Sequence, residues 1–269
     1  MSDQVAAAIA PLPAAYDGLF QSVRRIAESD HRIRALWLSG SLARGVADIG
    51  SDLDVIVTIS DDARAEFAER WRDWLATITP TLIAKPLPFA PGSFYSTTVD
   101  GCRLDVVVES VSELPESPHR RRLRVFDRDC LSVPEPAAAA GPDHEKLLDL
   151  VVEFLRQQAI FPAAVVARRD WLLGVEGVHH ARLMLYQLFV ESNQPLPPMG
   201  VKQWSSKLGA DQRRVLEALP AVSPQPQSVI DGMRATRAAF VTVGRETATR
   251  CGVDWPERLQ RAIFTLAPL

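Results

Sequence analysis

Asp52 and Asp54 stand one residue apart, shortly after a glycine-serine pair, in the runs Leu38-Ser39-Gly40-Ser41-Leu42-Ala43-Arg44-Gly45 and Gly50-Ser51-Asp52-Leu53-Asp54-Val55-Ile56-Val57. If both acids lie on one strand, their side chains leave the same face roughly 6 to 7 Å apart, while Leu53 and Val55 turn toward a core. Paired carboxylates at that spacing suit a hard, oxygen-seeking cation such as Mg²⁺. A Gly-Ser turn that opens a helix points backbone amides at an anion such as phosphate. Glycine at position 40 leaves that approach clear. A third acid, Asp105, sits among Leu104, Val106, Val107 and Val108, where an isolated carboxylate is costly unless something positive compensates it. Gly-Ser alone is an ordinary turn and Asp-x-Asp alone an ordinary strand pattern. Together, and with the later strand acid, they describe a site that handles phosphate and metal.

The elements that must position these residues can be read from the apolar pattern. Ala35 to Leu38 predicts a strand, Ser41 to Val46 a short helix, and Asp52 to Ile59 a second strand. Phe94 to Val99 and Cys102 to Glu109, joined by Asp100-Gly101, predict a β-hairpin with a tight turn. Val5 to Ser29 reads as helical with a break near Pro11 to Pro13. Ala63 to Ile78 reads as an amphipathic helix whose Phe67, Trp71, Trp74 and Leu75 share one side. Thr81 to Pro88 reads as an edge strand because of its prolines. Residues 132 to 143, rich in proline and alanine, read as a linker. Beyond it the pattern is helical: Asp143 caps a helix to about Gln158, followed by helices over Ala163 to Leu173, Val178 to Ser192, Ala210 to Leu219, Gln227 to Gly244 and Trp255 to Phe264. The expected organisation is α+β, with residues 1–135 forming a mixed sheet with flanking helices and residues 136–269 a helical bundle.

Composition narrows the function classes. A chain of 269 residues, 47% of them apolar, can fill two cores of ordinary size. The formal net charge of −3 argues against holding long nucleic acid by charge. The one strongly basic run, His119-Arg120-Arg121-Arg122-Leu123-Arg124, reads as a solvated loop and strand edge. Cys102, Cys130 and Cys251 are odd in number and widely scattered, which suits a reducing cytoplasm rather than a disulfide framework. No apolar run is long enough to cross a membrane, and the first residues do not read as a secretory leader.

Gly40-Ser41, the Asp52-x-Asp54 pair and Asp105 resemble the nucleotidyltransferase fold of the DNA polymerase β type. Within it they are most similar to the antibiotic nucleotidyltransferases, the aminoglycoside and lincosamide adenylyltransferases. The resemblance implies that Gly40, Ser41 and Ser51 face the phosphates of ATP, and that Asp52 and Asp54 hold Mg²⁺. It makes Asp105 either a third metal ligand or the general base for the acceptor hydroxyl. It also implies that a cation after a proline-rich loop reaches the triphosphate. Lys202, one of only four lysines, stands in such a segment, Pro198 to Leu208, where a Lys-x-Trp helix start is expected. The bland reading of Lys202 is a surface lysine beside a packing tryptophan. His179 and His180 are adjacent and lack the spacing of a zinc pair. Arg182 and Tyr186, four apart on one helix face, and the acids Glu145 and Glu153 are weaker candidates for contact with an acceptor.

The implied reaction is transfer of AMP from ATP to a hydroxyl of a small molecule, such as an aminoglycoside or lincosamide, with release of pyrophosphate and hence antibiotic resistance. The alternative is a nucleotidyltransferase-type antitoxin or regulator that adenylylates or binds a protein partner. Helical sequence after the linker disfavours that alternative, because antitoxin forms tend to be a single minimal domain.

Overall fold

The run Ile33-Arg34-Ala35-Leu36-Trp37-Leu38 extends as strand β1, and Leu53–Ile59 as β2, because both supply β-branched and large apolar side chains to a buried sheet. The computed structural model describes residues 3–88, 90–200 and 202–268. Helix α1 (Asp3–Ile9) and α2 (Ala15–Ser29) precede β1, separated at the expected prolines. A short helix α3 (Gly40–Arg44) follows β1. After β2 come α4 (Arg64–Ile78), β3 (Thr81–Pro86), β4 (Phe94–Thr98), β5 (Arg103–Ser110) and β6 (Leu123–Asp127). The six strands are ordered β3-β4-β5-β2-β1-β6, antiparallel throughout except for the parallel pair β2 and β5.

Register fixes which face each side chain takes. In the β2–β5 pair Asp54 lies opposite Asp105, Ile56 opposite Val107, and Thr58 opposite Glu109. The alternate residues Leu53, Val55, Val57 and Ile59, with Leu104, Val106 and Val108, enter a core shared with Phe20, Phe67 and Trp71. Trp71 stacks on Phe94 with ring centroids 4.5 Å apart. On the opposite face Ala35, Trp37 and Ile56 make a small cluster covered by Leu131 and Val133.

That second face carries a buried polar network. The Trp37 indole donates to Thr58 Oγ1 at 3.0 Å, and Thr58 Oγ1 donates to Glu109 Oε1 at 3.3 Å. Arg122 completes it, ion-paired with Glu109 and donating to Ser117 Oγ at 2.7 Å. The Arg122 side chain is 1% exposed. Arg122 is therefore no part of a solvated loop, as its place in a basic run led one to expect. A buried carboxylate on β5 needs a counter-charge, and the chain turns this arginine inward to supply it.

By contacts the chain divides into Met1–Ala138 with Pro197–Gln203, and Ala139–Leu196 with Trp204–Leu269. The second unit is helical: α5 (His144–Phe161), α6 (Trp171–Ser192), α7 (Ala210–Glu217), α8 (Pro226–Cys251) and α9 (Glu257–Leu266). Asp143 caps α5 by accepting from the amides of Glu145 and Lys146. No separate helix spans Ala163 to Leu173. Pro162–Val166 forms a π-helical turn, Arg169 takes a left-handed φ of 57°, and Asp170 caps α6 through the Leu173 amide. Proline and the Asp170 cap reset the chain within a run whose apolar spacing looked continuous. Gly174 lets α6 meet α8 closely, since a Cβ there would lie 2.6 Å from Val229. Among the described residues no helix is long and apolar enough to cross a membrane.

Candidate active site

The site begins where β1 ends. The Ser39 amide donates to the Asp54 carbonyl at 2.9 Å, which fixes the turn onto β2. Gly40 then adopts a φ of +55°, a left-handed conformation that side chains disfavour. Space demands glycine there as well, because a Cβ at position 40 would lie 2.7 Å from Asp54 Cγ. The turn thus rests its bare backbone against a carboxylate.

Asp54 and Asp105 stand opposite each other on adjacent parallel strands, and Asp52 precedes Asp54 by two residues. The three carboxylates are crowded enough to alter one another. Burial, then the charges of Asp105 and Asp52, push Asp54 up to about 6. Burial and Asp52 raise Asp105 from the usual carboxylate range, while Lys202 and Arg103 pull it back. Lys202 Nζ donates to Asp52 Oδ2 at 2.7 Å, and Arg103 forms an ion pair with the same carboxylate. The structure thus brings Lys202 to the acids. It does so from a turn rather than a helix start: Ser205–Lys207 is one 3₁₀ turn and the next helix, α7, opens at Ala210. Val201, in the same segment, lies outside the described residues.

Two cavities share Asp54 in their lining. The first, about 570 Å³, is lined by Gly40, Ser41, Ser51, Asp52, Asp54 and Lys202, among others. Ser51 reaches it from a loop tied by Asp48, whose carboxylate accepts from the Gly50 amide at 2.9 Å and from the Ser51 hydroxyl at 3.2 Å. Gln203 donates to the other Asp48 oxygen at 2.8 Å. The second cavity, also about 570 Å³, contains Asp54 and Asp105 together with His119, Arg120 and Arg121. Gly40, Arg44 and Asp54 line both.

Four arginines escaped the sequence reading as parts of the site. Arg44 lies between the two cavities, and its Nε is buried without a hydrogen-bond partner. Its signal was present, since an arginine one turn after Gly40 returns to the same side of α3. Arg103, which also donates to the Gly50 carbonyl at 2.8 Å, could have been found as the residue two before Asp105. Arg120 and Arg121 were visible only as charge.

Other candidates fall to structural roles. Tyr186 stacks on Trp204 at 3.8 Å and donates to its carbonyl at 3.2 Å. Arg182 donates to the Pro220 carbonyl and to Thr236, and Glu153 accepts from Arg156 and Gln157. The Glu145 amide joins the α5 cap.

The acids fit a divalent cation in chemistry: hard oxygen donors, crowded and partly buried, beside a glycine whose missing side chain keeps them accessible. Among the described residues no group of three or more His, Cys, Asp or Glu side chains is already gathered as a metal cage. Lys202 and Arg103 supply the positive charge at Asp52 here.

A mixed sheet carrying carboxylates on neighbouring strands, next to a Gly-Ser turn at the mouth of a short helix, is the α+β arrangement expected of a nucleotidyltransferase fold. Residues 21–88, the span that holds Gly40, Ser41, Asp52 and Asp54, match the family model of the nucleotidyltransferase domain. Enzymes of this type use nucleoside triphosphates and typically divalent metals. Over 93% of its length and 95% of the other chain the protein is similar to an aminoglycoside 6-adenyltransferase from Bacillus subtilis, at 14% identity and a TM-score of 0.42. Over 91% and 80% it is similar to the CdnE cyclic dinucleotide synthase of Elizabethkingia meningoseptica with GTP and Apcpp, at 10% identity and a TM-score of 0.27. No curated protein matches it in sequence.

Proposed function

We propose that this protein is an Mg²⁺-dependent adenylyltransferase that moves AMP from ATP to a hydroxyl of a small molecule and releases pyrophosphate. The observation that carries the reading is the register that sets Asp54 opposite Asp105, with Asp52 two residues away, beside the Gly40-Ser41 turn. Mg²⁺, when bound, would offset charge on the α-phosphate and the departing pyrophosphate. Asp52 and Asp54 would hold it, and Asp105 is the neighbouring acid that would complete the set. Ser41, Ser51 and the backbone at Gly40 receive the phosphates, and Lys202 leaves Asp52 to stabilise charge on pyrophosphate as it departs. Asp105 accepts the proton of the acceptor hydroxyl. Aminoglycoside and lincosamide hydroxyls are the acceptors implied by the family resemblance, whereas the arginines beside Asp105 favour an anionic small molecule. The scattered cysteines, none of them paired among the described residues, support a cytoplasmic setting.

The experiment is pyrophosphate release from labelled ATP with Mg²⁺ and a panel of hydroxyl acceptors. Asp54→Asn should abolish turnover while circular dichroism and melting remain those of a folded protein. Full turnover in that variant would overturn the reading.

A further inference from the structure

The basic run that looked like a solvated loop divides into two parts with opposite fates. Arg122 turns inward and is consumed by Glu109. His119, Arg120 and Arg121 instead line the second cavity, the one that contains Asp105. Among the described residues neither Arg120 nor Arg121 forms an ion pair, and Arg120 reaches only the Glu135 carbonyl, at 3.4 Å. Among the described residues the carboxylates on that cavity are Asp54 and Asp105, which belong to the proposed reaction centre. Burial also holds His119 below the usual imidazole range, which leaves its ring neutral near pH 7. Arg120 and Arg121 thus bring two exposed guanidinium groups, neither ion-paired among the described residues, to the cavity that contains Asp54 and Asp105.

In-line displacement at phosphorus places the attacking and leaving oxygens on opposite sides of the α-phosphate. Asp54 borders both cavities, so an α-phosphate held beside it would direct pyrophosphate into the cavity of Ser41 and Lys202. The nucleophile must then arrive from the cavity of Asp105 and the arginines. Resting on the adenylyl-transfer reading above, we propose that this second cavity is the acceptor subsite and that the acceptor carries a compact anion, phosphate or carboxylate, apart from its reacting hydroxyl. The acceptor oxygen forms its bond to the α-phosphorus as the bridge to the β-phosphate breaks. Its proton passes to Asp105, and pyrophosphate leaves with the electron pair of the broken bond. Planar guanidinium groups match phosphate and carboxylate in paired hydrogen bonds, and the same groups repel a polycation. The geometry thus selects against an aminoglycoside.

A matched set of probes tests this: glycerol 3-phosphate, glycerate, glycerol and kanamycin, each titrated calorimetrically with the protein and assayed with ATP and Mg²⁺. Glycerol 3-phosphate or glycerate should bind at least tenfold more tightly than glycerol, and the pair separates phosphate from carboxylate selectivity. In Arg120→Gln and Arg121→Gln that preference should fall by about 10- to 100-fold, as expected for losing a charged hydrogen bond, and the loss should appear in KM for the acceptor rather than in kcat. Equal binding of glycerol and its anionic analogues, preferred binding of kanamycin, or variants whose loss falls on KM for ATP would each overturn the proposal. Failure of the underlying reading looks different, because ATP turnover would then survive Asp54→Asn.

Discussion

Replacing Gly40 by alanine tests whether the turn exists to leave room for Asp54. The added Cβ would lie 2.7 Å from Asp54 Cγ and 3.1 Å from Asp54 Cβ. Carbon atoms in contact stand at about 3.5 Å or more, so the carboxylate must retreat by about 0.8 Å. A misplacement of about 1 Å in a reacting group costs roughly 100-fold in rate, so kcat for pyrophosphate release should fall about 100-fold. The left-handed φ of +55° adds a backbone penalty of about 1–2 kcal/mol, which lowers Tm by roughly 2–8 °C for a chain of this size. Gly45 is the control, with a φ of +70° and nothing within 4 Å of its imagined Cβ. Gly45→Ala should show the melting loss without the loss in kcat. A double-mutant cycle with Asp54→Ala isolates the clash, and the coupling should reach about 1 kcal/mol. Two results would refute the reasoning: kcat of Gly40→Ala within threefold of wild type, or an equal Tm loss whether or not Asp54 is present.

Lys202→Ala should raise KM for ATP about tenfold and leave Tm within about 2 °C, because the exposed Lys202–Asp52 pair contributes little to folding. Steady-state kinetics and a melting curve separate the two, and unchanged KM would remove Lys202 from the phosphate site. Arg122→Ala strands the buried Glu109 carboxylate and should cost about 3–5 kcal/mol, seen as a Tm lower by roughly 6–20 °C. Removing both partners as Glu109→Leu with Arg122→Met should recover much of the loss. A melting point close to wild type in the single variant would contradict the buried pair.

The parts of the fold that were legible in the sequence are those fixed by local rules. The β4–β5 hairpin follows from Asp100-Gly101, the α5 cap from Asp143, and the buried side of α4 from the spacing of its aromatics. The boundary between α5 and α6 was not legible. Ala163 to Leu173 keeps a helical apolar rhythm, and only the combination of Pro162, a left-handed Arg169 and the Asp170 cap breaks it. Asp52 and Asp54 were visible as a pair because they stand two apart in sequence, Asp52 just ahead of β2 and Asp54 within it. Their relation to Asp105 depends on β2 lying parallel to β5 across an intervening helix and two strands, a long-range pairing that no local signal encodes.

Strand β5 sharpens the same lesson, because it carries two acids on one face. Asp105 lies opposite Asp54 and Glu109 lies opposite Thr58, and by local sequence both are carboxylates in an apolar strand. What separates them is the source of compensating charge. Glu109 receives it permanently, from Arg122 at 1% exposure and from the hydroxyl of Thr58. Among the described residues Asp105 has no such resident partner; the charges that pull on it are Lys202 and Arg103, and both of those are ion-paired with Asp52. A carboxylate fully satisfied by its own chain is inert in chemistry, whereas one left beside two other acids is stabilised most by a cation from solution. The arginine run after β5 therefore does two jobs through one change of direction. Arg122 closes the structural acid, and its neighbours Arg120 and Arg121 line the cavity of Asp105 without an ion pair among the described residues.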